Sequence, residues 1–224
     1  EMAGYHLDLH LLPLFEGLTS AETDQFLAGM NASVRRYEKG KYVLQAGKKN
    51  ENIGVIVEGE IQVISEDVHG NESVSHSLER GALVGITTAI LPDKAMNLSL
   101  VATTNVLVLW IPYNILLTSG ARMGRIHGVV MKHLLQVFAW KTVIMAEKIQ
   151  LLSQKTLRER IVLYLQQKMW RQGVDKVHIP GRIQMAKELE CNRSALTREL
   201  SIMKAEGIIS FEDDWMQLCV EKRL

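Results

Sequence analysis

Six side chains between residues 193 and 204 are of the types that bind the base edges and phosphates of double-stranded DNA. At helical spacing they share one face of the segment: Arg193, Ser194, Thr197, Arg198, Ser201 and Lys204. Arginine makes paired hydrogen bonds to guanine, and hydroxyl and ammonium groups bind phosphate oxygens. Such contacts need a helix that holds these side chains outwards on a common face.

The flanking residues predict that helix and a second helix before it. Asn192 is a typical N-cap, and Gly207 is a typical helix-ending residue. The apolar face of the helix carries Ala195, Leu196, Leu200 and Met203. A short preceding helix with Ile183, Met185, Ala186 and Leu189 ends in a tight turn at Glu190-Cys191-Asn192. This pattern indicates a helix-turn-helix, in which the second helix enters the major groove, and it also fits a helical hairpin that only packs.

The positive charge of the chain lies where these residues lie. The 224 residues have a formal net charge of only +1. Residues 153–224 contain 13 Lys+Arg against 10 Asp+Glu, whereas residues 1–152 contain 13 against 15. This modest surplus favours a polyanionic partner for the C-terminal part alone.

The composition argues against several other classes of protein. Cys191 and Cys219 are the two cysteines and form no CxxC motif, so a disulfide scaffold, a zinc site and an iron–sulfur site are unsupported. No Ser–His–Asp set, phosphate-binding glycine-rich loop or pair of catalytic carboxylates is evident, and we do not expect an enzyme. Neither an apolar run of about 18 residues nor a signal peptide is visible, which predicts a cytoplasmic protein without a membrane partner.

A β-rich region is predicted from about residue 33 to residue 112. Apolar and polar residues alternate near residues 55–63, and glycines punctuate the region at short intervals. His69-Gly70-Asn71 has the composition of a hairpin tip, and residues 106–111 are a run of β-forming residues. Many short strands with regular turns indicate an antiparallel sandwich or a barrel-like roll.

One long helix is predicted from about residue 121 to residue 152, where proline is absent. Apolar residues recur at spacings of three and four on two faces. One face can pack on the β-rich region and the other on a second copy of the chain, which favours a parallel dimer. A buried helix inside a single larger domain is the alternative.

Another helix and a β-hairpin are predicted around the helix-turn-helix. Thr156 and Glu159 form a capping box that starts a helix, and Gly173 ends it. Residues 208–211 and 215–218 are strand-like and are separated by a turn at Asp213-Asp214. They predict a hairpin of the kind called the wing of a winged helix.

The predicted elements make an α+β chain in three parts. These are an antiparallel, jelly-roll-like β-roll at residues 1–118, a dimerisation helix at 119–152 and a winged helix-turn-helix domain at 153–224. Six short segments, each weak alone, identify a family when they occur in this order. They are Leu14-Phe-Glu-Gly-Leu18, Lys39-Gly40, Gln45-Ala-Gly47, Val57-Glu-Gly-Glu60, Gly81-Ala-Leu-Val-Gly85 and Asn192-Arg-Ser-Ala-Leu-Thr-Arg198. With them, the chain resembles the CRP/FNR family of bacterial transcription regulators over about residues 10–220.

The resemblance implies a homodimer that binds a palindromic operator in double-stranded DNA under the control of an effector in its β-roll. It also implies RNA polymerase as a partner if the protein is an activator. The base-contacting positions of the family correspond to Arg193, Ser194 and Arg198, and the two arginines match its pattern. Ser194 departs from it, since members similar to the cyclic-AMP receptor carry Glu there, so we expect a related but altered half-site.

The effector site departs further from the family. Cyclic-AMP-binding members have Glu after a glycine, an Arg-Ser pair that holds the phosphate and a Thr-Ser pair on the long helix that meets adenine. The corresponding positions here are Gly85, Ile86, Met96, Asn97, Met145 and Ala146. A phosphodiester buried without a cation is strongly disfavoured, so the sequence argues against cyclic AMP as the effector.

Three alternatives remain for that cavity: side chains that fill it, a hydrophobic or aromatic small molecule, or haem, as in some family members. The candidate haem ligands are His69, His76, His127 and His133, without a recognisable ligand motif. Cys191 is a candidate redox thiol or a small buried turn residue. A haem- or small-molecule-binding sensor module, whose helix-turn-helix serves protein interaction, is the alternative function.

Overall fold

The computed structural model describes residues 8–66, 72–91, 97–212 and 214–219, and it falls into two compact units. The first unit spans Glu1–Val137 and the second spans Phe138–Leu224. The boundary lies inside the long helix, which therefore contributes residues to both units. The predicted three-part division of the chain remains a prediction.

The first unit is built on two antiparallel sheets of four strands each. Strands β1 (Ser33–Tyr37), β3 (Asn52–Glu58), β6 (Leu83–Val84) and β8 (Val106–Pro112) form one sheet in the order β1-β8-β3-β6. Strands β2 (Tyr42–Leu44), β4 (Ile61–Glu66), β5 (Glu72–Leu78) and β7 (Leu98–Ala102) form the other in the order β2-β7-β4-β5. The predicted antiparallel roll is confirmed, and the predicted hairpin tip at residues 69–71 lies outside the described residues.

Apolar side chains from both sheets form one core of this unit. Its buried members are mainly β-branched and aliphatic: Val43, Ile56, Ile61, Val63, Val84, Leu100, Ala102, Val106, Val108 and Trp110. Burial of each such side chain stabilises the fold by about 1.5–3 kcal/mol for the larger residues. Tyr37, at the end of β1, packs against the edge of this core.

Helices precede, interrupt and follow the strands of the first unit along the chain. Two 3-10 turns (Leu9–Leu11 and Pro13–Phe15) precede helices α1 (Ser20–Gly29), α2 (Ile86–Ile90), α3 (Tyr113–Thr118), α4 (Gly120–Met123) and α5 (Arg125–Leu152). The expected start of the long helix near residue 121 is wrong, because Gly124 has a φ of 52° and separates α4 from α5. Glycine adopts this backbone conformation without the steric cost that a side chain would add.

The second unit contains α6 (Leu157–Gln172), β9 (Lys176–His178), α7 (Arg182–Glu188), α8 (Arg193–Ala205), β10 (Ile209–Phe211) and β11 (Trp215–Leu218). The capping box of Thr156 and Glu159 starts α6, and Gly173, with a φ of 68°, ends it, both as predicted. The wing strands pair, and β9 joins them in a sheet of order β10-β11-β9. Of the predicted turn at Asp213-Asp214, residue 213 lies outside the described residues.

Gly54 lies in β3 between β8 and β6, where the structure leaves no room for a side chain. A Cβ atom at this position would lie 2.5 Å from Cγ2 of Val84 and 2.7 Å from the Trp110 ring. Trp110 is buried and donates its indole N–H to the Tyr37 hydroxyl at 3.0 Å. Glycine at residue 54 therefore lets the indole occupy its place in the core.

We expect Gly54→Ala to lower the free energy of unfolding by about 1–3 kcal/mol, because the added methyl group overpacks the core. Urea denaturation followed by circular dichroism measures the change. Gly120→Ala is the matched control, since its Cβ would make only an ordinary contact with His127 at 3.4 Å. Equal stability of the Gly54→Ala variant and the parent protein would contradict the overpacking argument.

Candidate nucleic-acid interface

The helix-turn-helix consists of α7, a turn at residues 189–192 and α8. The Asn192 side chain caps α8, since its Oδ1 atom accepts the amide N–H of Ser194 at 2.8 Å. In the turn, the amide N–H of Cys191 donates to the Ala186 carbonyl at 3.0 Å. Glu190 has a φ of 49°, a left-handed conformation that is uncommon for residues other than glycine. Local hydrogen bonds thus fix the start of the second helix.

Burial of its apolar residues orients α8. Leu196, Leu200 and Met203 are buried in the core of the second unit, together with side chains of α6, α7 and the wing strands. Ala195, which was expected on this face, is exposed. Ala195 is exposed because successive helical residues are rotated by about 100°, so that residue 195 points away from its buried neighbour Leu196. The remaining circumference of α8 faces solvent.

All six side chains predicted to contact DNA are exposed on α8. Within the described part of the chain, Arg193 and Arg198 have no ion-pair partner. The hydroxyl groups of Thr197 and Ser201 donate to backbone carbonyls one turn earlier, at 2.9 and 3.0 Å, and their oxygens still have lone pairs to accept with. The structure thus brings the six residues together on one surface, while their contact with DNA remains a prediction.

Lys204 differs from the two arginines because the wing already engages it. Its ammonium group donates to the Phe211 carbonyl at 3.1 Å and lies 4.3 Å from the centre of the Phe211 ring. The Arg182 guanidinium, at the start of α7, lies 4.7 Å from the centre of the same ring. Two cations therefore flank Phe211 beside α8. Arg182 was missed from the sequence, where it is one basic residue among many.

Arg158 of α6 pairs with two acidic groups at α8. Its Nε atom lies 2.7 Å from Glu199, and its Nη1 atom lies 2.7 Å from Glu206 just beyond the helix. These two carboxylates raise the pKa of Arg158 above its ordinary value. The single guanidinium offsets one of these two negative charges, so the three cations of α8 still leave its surroundings with a positive surplus. No short sequence pattern reveals this pairing, since Arg158 lies 41 residues before Glu199.

The residues predicted for the effector pocket are distributed over both units. In the first unit, Gly85 has a φ of 70° and caps α2, Ile86 is buried, and Asn97 is exposed. Met145 and Ala146 are exposed on the part of α5 that belongs to the second unit, and Met96 lies outside the described residues. A common pocket of these residues remains a prediction. Ile86 starts α2, and its apolar side chain is buried.

The histidines considered as haem ligands bond to nearby polar groups. His127 contacts the Leu116 carbonyl at 2.7 Å, His133 contacts the Leu14 carbonyl at 2.9 Å, and His76 contacts the Ser75 hydroxyl at 3.0 Å. His69 lies outside the described residues. Across the described ranges, no three His, Cys, Asp or Glu side chains are grouped so that they could hold a metal ion.

Cys191 is half-buried in the turn, whereas Cys219 is exposed. Burial raises the pKa of the Cys191 thiol, and the charge of Arg160 opposes this effect. Because the thiolate is the reactive form, a raised pKa slows reaction at neutral pH.

We therefore expect iodoacetamide to alkylate Cys219 before Cys191 in the folded protein at pH 7. Peptide mass spectrometry of timed samples measures both rates, and the urea-unfolded chain, in which the difference disappears, is the control. Because the pKa of Cys191 is raised, its rate should continue to increase at a pH where that of an ordinary thiol has levelled off. Faster labelling of Cys191 than of Cys219 in the folded protein would contradict this expectation.

Comparisons with known proteins agree with this architecture. Residues 34–118 match the family model of the cyclic nucleotide-binding domain. The catabolite activator protein of Thermus thermophilus is 23% identical and superposes with a TM-score of 0.54, over 92% of this chain and 93% of that one. CprK in complex with OCPA is 18% identical with a TM-score of 0.61, over 88% and 89% of the two chains. No match to a curated protein sequence was found.

A further similar structure is the c-di-GMP-responsive global regulator CLP of Xanthomonas campestris. It is 17% identical with a TM-score of 0.52, over 90% of this chain and the whole of that one. At these identities the similarity shows the fold. The resemblance to CRP/FNR regulators is therefore confirmed at the level of the fold. The β-roll, the long helix and the C-terminal helices match the fold of the catabolite activator protein.

Proposed function

We propose that this protein is a sequence-specific DNA-binding transcription regulator that acts as a homodimer on a palindromic operator. The observation that carries the proposal is the exposed face of α8, where Arg193 and Arg198 have no ion-pair partner within the described residues. Each arginine can make a bidentate contact to guanine, and Ser194 is a permissive neighbour. The protein works in the cytoplasm, and it contacts RNA polymerase if it is an activator.

Phosphate contacts complete the proposed interface. Lys204 and Arg182 flank Phe211 at the side of α8, where they can neutralise phosphates next to the groove. Such neutralisation releases counterions, so affinity falls steeply as the salt concentration rises. A helix-turn-helix that served protein interaction would not need this surplus of cations, and the pairing of Glu199 and Glu206 with Arg158 argues for a polyanionic partner.

We expect Arg198→Ala to reduce discrimination at one base pair of each half-site by about 1–3 kcal/mol, because a bidentate contact is lost. Selection from a random duplex library defines the preferred site, and competition with point-substituted duplexes measures the change. Lys39→Ala, which removes an exposed cation from the first unit, is the control and should bind as the parent does. Absence of any sequence preference in the parent protein would refute the proposed function.

The exposed apolar residues of α5 support the proposed dimer. Residues along this helix recur at alternating spacings of three and four, which is the spacing of a coiled-coil seam: Met131, Leu135, Phe138, Thr142, Met145, Ile149 and Leu152. Leu135, Met145 and Ile149 are each about two-thirds exposed in the single chain. Burial of such side chains contributes about 1.5–3 kcal/mol each, so this stripe, which we call the α5 seam, favours a parallel pair of helices.

By length and composition, α5 is also the one helix among the described residues that could cross a membrane. Only 11% of its most apolar window is buried within the single chain. A dimer seam explains this exposure, and the charged residues Arg125, Lys132, Lys141, Glu147 and Lys148 along the helix suit solvent better than lipid.

We expect Met145→Glu to convert the dimer into a monomer, because two carboxylates would face each other across the seam. Sedimentation velocity measures the association state. Gln150→Glu adds the same charge at an exposed position outside the seam and should leave the dimer intact. Dimers of unchanged stability in the Met145→Glu variant, or a parent protein that partitions into membranes, would exclude this role of the seam.

The proposed regulator responds to an effector other than cyclic AMP or acts without one. Support comes from Ile86, which is buried at the start of α2 and offers no polar group to a ribose hydroxyl. The match to the cyclic nucleotide-binding domain model identifies the fold of the β-roll, and it does not identify a ligand.

A further inference from the structure

A cavity of about 370 Å³ opens in the first unit between β1 and β2, the outer strands of its two sheets. The start of β3 and Trp110 of β8 complete its walls. None of the described positions that correspond to the family's effector site lines it. Its volume lies within the range of ordinary small-molecule sites, about 300–1,000 Å³.

The floor of the cavity is apolar and aromatic. Val43 and Trp110 are buried there, and Leu44 is half-buried. The Tyr37 hydroxyl accepts the indole N–H of Trp110 at 3.0 Å. Because a hydroxyl group has one proton of its own, Tyr37 can still donate that proton to a ligand. These side chains give the floor an apolar lining, and the Tyr37 hydroxyl beside them is a hydrogen-bond donor.

Arg35 brings a positive charge to the core-facing side of β1. Arg35 pairs with Val108 and Tyr37 pairs with Val106 in the antiparallel register, and both valines are buried in the core of the roll. Residues two apart on a strand share a face, so Arg35 lies beside Tyr37 at the mouth of the cavity. Across the described ranges, no carboxylate lies within ion-pair distance of Arg35.

The carboxylate of Glu51, in the cavity wall, is already paired with a cation. Glu51 forms an ion pair with Lys49 at 2.7 Å, and this lysine lowers the pKa of Glu51. The wall consequently has a net positive charge that is contributed by Arg35. An isolated guanidinium beside an aromatic floor suits a planar anion, since the guanidinium fork matches the two oxygens of a carboxylate.

We propose that this cavity binds a small aromatic carboxylate. The carboxylate contacts Arg35 and the Tyr37 hydroxyl, and the aromatic body lies against Val43, Leu44 and Trp110. A neutral ligand of the same shape gains the apolar contact and loses the charged one.

Asn50 connects the cavity wall to α2. Its side-chain amide donates to the Asn52 carbonyl at 2.8 Å and to the Gly85 carbonyl at 2.9 Å. Its Oδ1 atom accepts the Asn52 amide N–H at 3.1 Å. A ligand that displaces this loop therefore also displaces the residue that caps α2. An effect of the ligand on DNA binding through this connection rests on the proposed function. Binding of the ligand in the cavity does not depend on that function.

The test uses 2-naphthoate and its neutral analogue 2-naphthamide with the full chain in the absence of DNA, so that a failure of DNA binding leaves it unaffected. Isothermal titration calorimetry measures affinity, and the indole N–H signal of Trp110 in a ¹H–¹⁵N spectrum, assigned with a Trp110→Phe variant, reports the site. We expect 2-naphthoate to bind at least about tenfold more tightly than 2-naphthamide and to shift the Trp110 signal.

Arg35→Gln should abolish the difference between the two probes, whereas Arg36→Gln should preserve it. Arg35 and Arg36 are both exposed, and Arg36 faces the opposite side of β1. The two variants therefore remove the same charge, but only Arg35→Gln removes it at the cavity. Unchanged dispersion of the backbone amide signals of the first unit confirms that each variant is folded there. Equal affinity for the two probes in the parent, an unaltered preference in Arg35→Gln, or binding without a shift of Trp110 would overturn the proposal.

Discussion

The burial of Leu196, Leu200 and Met203 under α8 is the constraint on which the interface depends. These three side chains fix the rotation of the helix about its own axis, because any other rotation would expose them and withdraw polar groups from water. The direction of Arg193 and Arg198 follows from that rotation. The arginines themselves need no contacts with the rest of the protein to be held on the outer face, so they stay available to a partner. Packing and recognition thus use opposite faces of one short helix.

The charged groups beside α8 also affect the surface that the packing of this helix exposes. Glu199 and Glu206 would weaken the field of a cationic helix if they were free, and Arg158 pairs with both. An ion pair at a partly exposed position adds little to stability. Its effect here is to offset part of the negative charge of these two carboxylates beside α8. The modest net charge of the whole chain is therefore a poor guide to the charge that a partner meets.

Sequence patterns predicted the features that local interactions determine. The capping box at Thr156, the cap at Asn192 and the helix end at Gly173 all depend on residues a few positions apart, and each occurs where expected. The break at Gly124 was missed because an isolated glycine is compatible with a helix until tertiary packing decides. Arg158 and the cavity beside Arg35 were also missed. Both depend on residues from separate elements, and a single sequence does not reveal such pairings. The six residues predicted to contact DNA lie on one exposed surface of α8, while their contact with DNA and the predicted effector site remain predictions.

Asn50 links the start of β3 to the start of α2 through hydrogen bonds of a single side chain. It holds the first residue of β3 and the residue before α2 through directional bonds to their backbones. Apolar contacts tolerate small sliding movements, whereas hydrogen bonds lose most of their strength over a fraction of an ångström. The side chain of Asn50 thus adds directional bonds to the backbone pairing of β3 with β6, the short strand that leads into α2. Movement at the start of β3 is therefore transmitted to the first turn of α2 through hydrogen bonds as well as through apolar contacts.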